Sequence, residues 1–595
     1  MTDSPKPLPK RIIICCDGSW QSAVSGERNT ASNVTRLARC LKRAGVDKHD
    51  KTWQQIVWYD SGVATTSSFI GNLAEGFTGS GMEGNIIEAY NFVVLNWSPG
   101  DQVFCFGFSR GAYTARSVAG LISDIGICEP SRLHEFPEIW ELYKANYKGE
   151  RFHGSDAWFD YVDGVPGDDK DQPEDLGDDN VNFVWAKPPR GDWAVTPESR
   201  EIEVVGVYET VGGLGIPELR GVKLTWGPDK HGFHNVKLNP NVKHAFQALA
   251  LDEHRASFSP TLWHLPELKP DVKPGALEAK RKLADEAEKA WNPKFYDKTV
   301  PLKERQELKK QYNKARRELY QLEEERKDRS DLLQVWFPGM HINIGGGSTR
   351  TLENKGDLEE TSNITFAWML DQISPYLAID ERVIRRESRA RQDHINELNK
   401  EEQKYRQRVA KEDAEAAKLS FMQWAGRAIV STATSAANIA MHPLTKTKVP
   451  NTLRRDFGWG TGTIIDSFGL LSNLNGSKLR TPGGYTTDAS PGDTNEQIHP
   501  CVGYRHDAFK DLKKELQYHP GGLEEDKYER RQNKQPGGGW EYVLGDAVVP
   551  EYRMQPNVEG KSPTFERFNL SLAWEKTKTY VTALDDDNGM VPVDL

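Results

Sequence analysis

Ser109 lies inside Gly107-Phe108-Ser109-Arg110-Gly111, a G-x-S-x-G stretch in a chain of 595 residues. A serine hydroxyl is a weak nucleophile unless an imidazole takes its proton and a carboxylate orients that imidazole. Val103 to Phe106 read as a short buried strand before it, and Ala112, Ala115, Ala119 and Ile122 recur at helical spacing after it. Strand, sharp turn and helix is the setting in which such a serine projects from the edge of a sheet. Glycines on either side let the strand and helix approach closely.

In a sheet of this kind the partners follow in the order serine, acid, histidine. Glu209 ends the strand-like run IEVVGVY, and His341 follows the run LQVWF, with Gly345, Gly346 and Gly347 just downstream. Asp252, in LALDEHRASF, is the reserve acid. The Arg110 amide would face a developing oxyanion, and the turn Asp17-Gly18-Ser19 after the first strand offers a second donor from Gly18 or Ser19. Gly79 to Gly84 satisfies G-x-G-x-x-G, but the preceding EGFT is no strand, so a dinucleotide site is set aside in favour of a turn feeding a helix.

The elements that must position these residues alternate. Arg11–Cys16, Gln55–Tyr59, Val103–Phe106, Ile202–Tyr208 and Leu333–Phe337 are predicted strands; Asn33–Lys42 and Gly84–Trp97 are predicted helices. The alternation predicts an α/β fold with a mainly parallel sheet and helices on both faces. Ser109, Glu209 and His341 then fall at strand carboxyl ends, where such sheets carry their sites.

Three stretches interrupt the pattern. Asp163 to Asn180 is an acidic, Gly/Pro-rich loop without calcium-hand spacing. Pro274 to Arg329 is charged and helical, with Leu308, Tyr312, Ala315, Leu319 and Leu322 stepping as in a short coiled-coil seam. Asp380 to Lys418 is similarly charged. The expected organisation is a first catalytic part over 8–265, a charged helical insertion over 266–330 and the histidine-bearing part over 331–376. A helical arm or cap over 377–445 and a C-terminal part over 446–595, packed on the catalytic domain, complete it.

The formal charge of −10 disfavours a nucleic-acid partner. Six cysteines without paired spacing suggest neither a disulfide framework nor a metal site, and the proposed chemistry requires no metal or cofactor. The N-terminal MTDSPKPLPKR carries no apolar signal stretch, and no run reaches about 18 apolar residues. A cytoplasmic location is the expectation. Phe421 to Met441 reads as a helix packed on the catalytic domain, with peripheral membrane contact as the second reading.

Taken together, ICCDGSW, SNVTRLAR, GFSRGAYTARSVAGLI, GVYETVGGLGIP, ALALDEHRASFSPTLW and WFPGMHINIGGG resemble the catalytic domain of type VI secretion phospholipase effectors, and more closely its fungal homologues. RTPGGY and TNEQIHPCVGYR resemble the fungal version too. The resemblance implies an α/β-hydrolase fold and hydrolysis of a glycerophospholipid or other lipid ester, with Ser109 as nucleophile and His341 as general base. Two positions depart from the family pattern. Glu209 stands where aspartate is usual, and His341-Ile342-Asn343 replaces His-Ser-Asp, so Asn343 supplies hydrogen bonds but no charge. The alternative is therefore a weakened or silent hydrolase fold that recruits a protein partner through its charged helices.

Overall fold

The computed structural model describes residues 7–18, 31–62, 80–146, 151–167, 185–210, 236–266, 275–347, 361–386, 477–485, 492–511 and 529–553, a few positions and two short breaks within them excepted, with isolated residues elsewhere. Strands β1 (Lys10–Cys16), β2 (Ala44–Val46), β3 (Thr52–Asp60), β4 (Gln102–Phe108), β7 (Ile202–Tyr208), β8 (Val242–Ala250), β9 (Asp331–Phe337) and β10 (Glu496–Ile498) form one sheet in the order β10-β9-β8-β7-β4-β1-β3-β2. All its pairings are parallel except β2 on β3. Short β5 (Val165–Pro166) and β6 (Trp185–Lys187) pair separately, and β11 (Glu529–Gln532), β12 (Trp540–Leu544) and β13 (Ala547–Pro550) make a small antiparallel sheet.

The unbroken apolar run of β1 is explained by burial on both faces. Ile12, Ile14 and Cys16 face one core cluster, whereas Ile13 and Cys15 face the other. On the first face pack α2 (Ser80–Asn96), α3 (Arg110–Ile125), α4 (Phe136–Ala145) and α5 (Asp156–Asp163). On the second pack α1 (Asn33–Cys40) and α9 (Thr361–Ile373). The chain is thus a mixed α/β fold on a large, mainly parallel sheet. All six cysteines are buried and unlinked.

Strands β2, β8 and β10 of this sheet are not among the predicted strands, and β8 is the longest of them. Its VKHAFQALA is rich in alanine and carries Lys243 and His244 near its start, so it lacks the β-branched run that marks the others. Burial between β7 and β9 decides its state. The charged insertion forms two helices, α6 (Ala276–Phe295) and α7 (Leu302–Glu325), with Trp291 stacked on Tyr312 at 5.0 Å. The predicted seam is only half-buried. The buried positions of α7 are Arg305, Lys309 and Asn313, because this polar stripe faces α5: Arg316 pairs with Asp163 at 2.7 Å and Lys309 reaches the Gly164 carbonyl.

Residues 381–386 are helical, but most of Asp380–Lys418, all of Phe421–Met441 and residues 168–180 of the acidic loop lie outside the described residues. Among the described residues no helix is long and apolar enough to cross a membrane.

Candidate active site

The strand order reverses direction between β1 and β4, the switch point at which open α/β sheets form a crevice. Ser109 sits at that point, one residue after β4 and one before α3, with φ 59° and ψ −122°. A non-glycine residue held at positive φ is uncommon and carries strain that surrounding packing must hold in place. The packing here is explicit. A Cβ on Gly107 would collide with the Gly111 carbonyl, and one on Gly111 would collide with the carbonyls of Cys16 and Asp17. Both glycines of the motif are therefore required by backbone contact. Ser109 remains partly exposed while its neighbours on both sides in β4 and α3 are largely buried.

Register carries the other two groups to the same end of the sheet. Phe108 pairs with Tyr208, so Ser109 and Glu209 both follow paired strand ends. Tyr208 pairs with Ala248, and Ala250 pairs with Phe337, which sets the turn leading to the short helix α8 (His341–Gly345). His341 Nδ1 lies 3.3 Å from Glu209 Oε2. With Glu209 ionised, Nδ1 carries the proton and donates, which leaves Nε2 as the basic nitrogen. The imidazole stacks on Phe108 at 4.9 Å and meets Phe258 edge-on at 5.0 Å. Phe108 therefore links the serine turn directly to the histidine ring.

Glu209 is buried and has φ 48°. Burial alone would raise its carboxyl, but Arg480 and His341 outweigh that and hold it below the usual carboxylate range. Arg480 grips both oxygens, Nη1 to Oε1 at 2.7 Å and Nη2 to Oε2 at 2.9 Å. The Ala250 amide also donates to Oε1.

Asp252, the reserve acid, has another duty: its carboxylate accepts from the Gly339 amide and from the Tyr518 hydroxyl at 2.9 Å, fixing the turn before α8. The carboxylate on the imidazole is that of Glu209. Glu253 accepts the His341 backbone amide at 3.2 Å and is held by Arg255 at 2.7 Å. Asn343 accepts from the Met340 amide at 3.0 Å, a capping role that an uncharged side chain fills.

The loop after β1 differs from expectation in one donor. The Gly18 amide donates to Asp17 Oδ1 at 2.7 Å, so it is engaged within its own turn and is not aimed at a substrate oxygen. Ser19 lies outside the described residues. Asp17 itself is buried, and burial raises its carboxyl. Its Oδ2 accepts from Ser32 at 2.5 Å, Tyr59 at 2.6 Å and Thr35 at 2.7 Å, which ties β1, α1 and β3 together behind the serine turn. Arg110 opens α3, with its amide at the positive end of the helix.

Arg480, Glu253, Phe108 and Phe258 have no sequence signal for these contacts. Arg480 opens RTPGGY, yet nothing local to that segment points to Glu209, 271 residues away.

A doubly wound α/β domain with a serine turn at its switch point, and a histidine–carboxylate pair at the same end of the sheet, is the class these features define. The chain belongs to the family described as the type VI secretion system phospholipase effector Tle1-like catalytic domain, which matches residues 10–372. It is 26% identical over 148 residues to "Uncharacterized protein YEL023C" of Saccharomyces cerevisiae, covering 23% of this chain and 20% of that protein. Among solved structures it is similar to a Tle1 effector bound to the VgrG spike from the type VI secretion system, at 17% identity and TM-score 0.26, covering 57% of this chain and 51% of that one. An uncharacterized protein from Pseudomonas aeruginosa is similar at 13% identity and TM-score 0.27, covering 63% and 47%. The chain thus spans about a fifth of the curated relative's length and about half of each solved chain.

Proposed function

We propose that this chain is a serine ester hydrolase of the α/β-hydrolase fold that cleaves a phospholipid or related lipid ester. One observation carries the reading: Ser109, in a strained turn at the switch point, shares one end of the sheet with a His341 imidazole held by Glu209. The family membership supports the lipid substrate class. The catalytic unit in this reading is 8–265 with 331–376, and the pair α6–α7 is an insertion docked on α5.

Ser109 Oγ attacks the ester carbonyl and His341 Nε2 takes its proton. The ionised Glu209 stabilises the resulting imidazolium through Nδ1. The Arg110 amide receives the negative charge on the carbonyl oxygen. Collapse of the intermediate breaks the bond to the leaving alcohol, which takes the proton from Nε2. Water then attacks the acyl-enzyme, again through His341, releasing the fatty acid and restoring Ser109.

Labelling of the full chain with a fluorophosphonate probe, with the modified residue mapped by mass spectrometry, tests this reading. Labelling at Ser109 that disappears in His341→Ala, together with fatty-acid release from phospholipid vesicles that disappears in Ser109→Ala, is the expected result. Turnover retained in folded Ser109→Ala would sink the mechanism.

A further inference from the structure

We propose that Arg480, from a segment beyond the family-matched residues, is a positioning residue that locks the Glu209 carboxylate in the orientation that holds His341. The inference rests on the hydrolase reading above and adds to it a group supplied by the C-terminal part of the chain.

Glutamate has one more rotatable bond than aspartate, so a glutamate acting on an imidazole needs something to fix the plane of its carboxylate. The guanidinium does this as a bidentate fork across both oxygens, at 2.7 and 2.9 Å, a geometry that a lysine ammonium cannot reproduce. Its other hydrogen bonds run to the Ala250 carbonyl at 2.8 Å and the Phe258 carbonyl at 2.7 Å. One buried cation therefore fixes the acid, the end of β8 and the residue whose ring meets His341 edge-on.

The segment that brings Arg480 is itself anchored. Ser477 bridges to Arg255, the Lys478 amide donates to the His254 carbonyl at 2.8 Å, and the Gly483 amide donates to Glu496 of β10 at 3.0 Å. Glu209 accepts from the Ala250 amide and Arg480 Nη1 on one oxygen, and faces His341 and Arg480 Nη2 on the other.

The charged and titratable groups around Glu209 are His341 from α8, Arg480, Glu253 with its partner Arg255 behind the His341 amide, and Tyr485 beside Arg480. Burial opposes ionisation of Glu209, and Arg480 is the leading counterweight. Without Arg480 the carboxyl rises, so it becomes protonated at a higher pH and releases His341 there.

The test uses the full chain with Arg480→Met and Arg480→Lys. Two readouts are followed: the pH dependence of Ser109 labelling by the fluorophosphonate, and the far-downfield proton resonance of the His341 Nδ1–H, assigned with His341→Ala. Arg480→Met is expected to slow labelling about 100-fold at pH 7, move the acid limb of the profile to higher pH and abolish the resonance. Arg480→Lys should fall between it and the wild type. In a Glu209→Gln background, Arg480→Met should add little, because both act through one group. Labelling at the wild-type rate and pH profile in Arg480→Met, or a loss fully additive with Glu209→Gln, overturns the proposal. So does a resonance that is absent from the wild type or unchanged in Arg480→Met. A wild type that shows the resonance but never labels, with the resonance lost in Arg480→Met, retains the positioning role and rejects the hydrolase reading. If Arg480→Met does not fold, Arg480→Lys carries the same comparison.

Discussion

The imidazole of His341 stacks on the ring of Phe108, with centroids 4.9 Å apart and planes inclined by 29°. Phe108 is the residue before Ser109, so the strand that delivers the nucleophile also forms the floor under its base. Gly345, four residues after His341, lies against the same ring, and a Cβ there would collide with it. Gly345→Ala should therefore push Phe108 and loosen the stack. The expected cost is about 1–3 kcal/mol of stability with slower Ser109 labelling, read by chemical denaturation and by the fluorophosphonate rate.

Glu209→Gln keeps the shape of the side chain and removes its charge. Arg480 would then be buried without its anion, costing roughly 3–5 kcal/mol. The orienting of His341 would fail as well, so hydrolysis should drop by about 10⁴-fold. Denaturation midpoints and kcat against a soluble ester check the two effects separately. An Asp252→Asn variant should leave the imidazole's partner in place, with the smaller kinetic loss of the two.

Glu253 supplies a pH test. Burial disfavours its charge, but its bonds to Arg255 overcome this and hold its carboxyl at about 2, against an ordinary 4.5. A folded pKa below the unfolded one means stability that is full above about pH 4.5 and is lost as pH falls toward 2. The group should contribute about 3 kcal/mol at neutral pH. Comparing denaturation free energies of wild type and Glu253→Gln across that window should show the difference shrinking as pH drops.

Asp17→Asn replaces a carboxylate that accepts one amide and three hydroxyls. Its amide nitrogen would then meet either the Gly18 amide or hydroxyls that must turn from donating to accepting, at a cost of about 1–3 kcal/mol. Because the Cys16 and Asp17 carbonyls pack on Gly111, labelling of Ser109 should slow as well. Thermal unfolding and labelling measured on the same preparation test both.

Asn343→Asp retains the oxygen that receives the Met340 amide but places a carboxyl on a buried side chain, so catalysis should change by less than about threefold while stability falls by about 1–3 kcal/mol. Asn343→Ala removes the cap and should cost about 1 kcal/mol. A large gain in activity from Asn343→Asp would mean that the missing charge, and not the cap, governs this position.

What the sequence determined by itself is local. The apolar run of β1, the glycines around Ser109 and the helical spacing after it are written in contiguous residues, because strand, turn and helix form from neighbours along the chain. Ser109, Glu209 and His341 were likewise legible as residues following predicted strands. The tertiary structure decided which groups meet. Strand register selects Glu209 over Asp252 as the carboxylate on His341, 132 residues away. Closure of Asp17 on its own turn engages the Gly18 amide. Arg480 reaches Glu209 across 271 residues from a segment whose local sequence carries no sign of the contact. Such pairings depend on how distant elements stack, and burial then makes them obligatory: an ionised carboxylate enclosed with a histidine requires a cation or donors, and the fold, not the neighbouring sequence, supplies them.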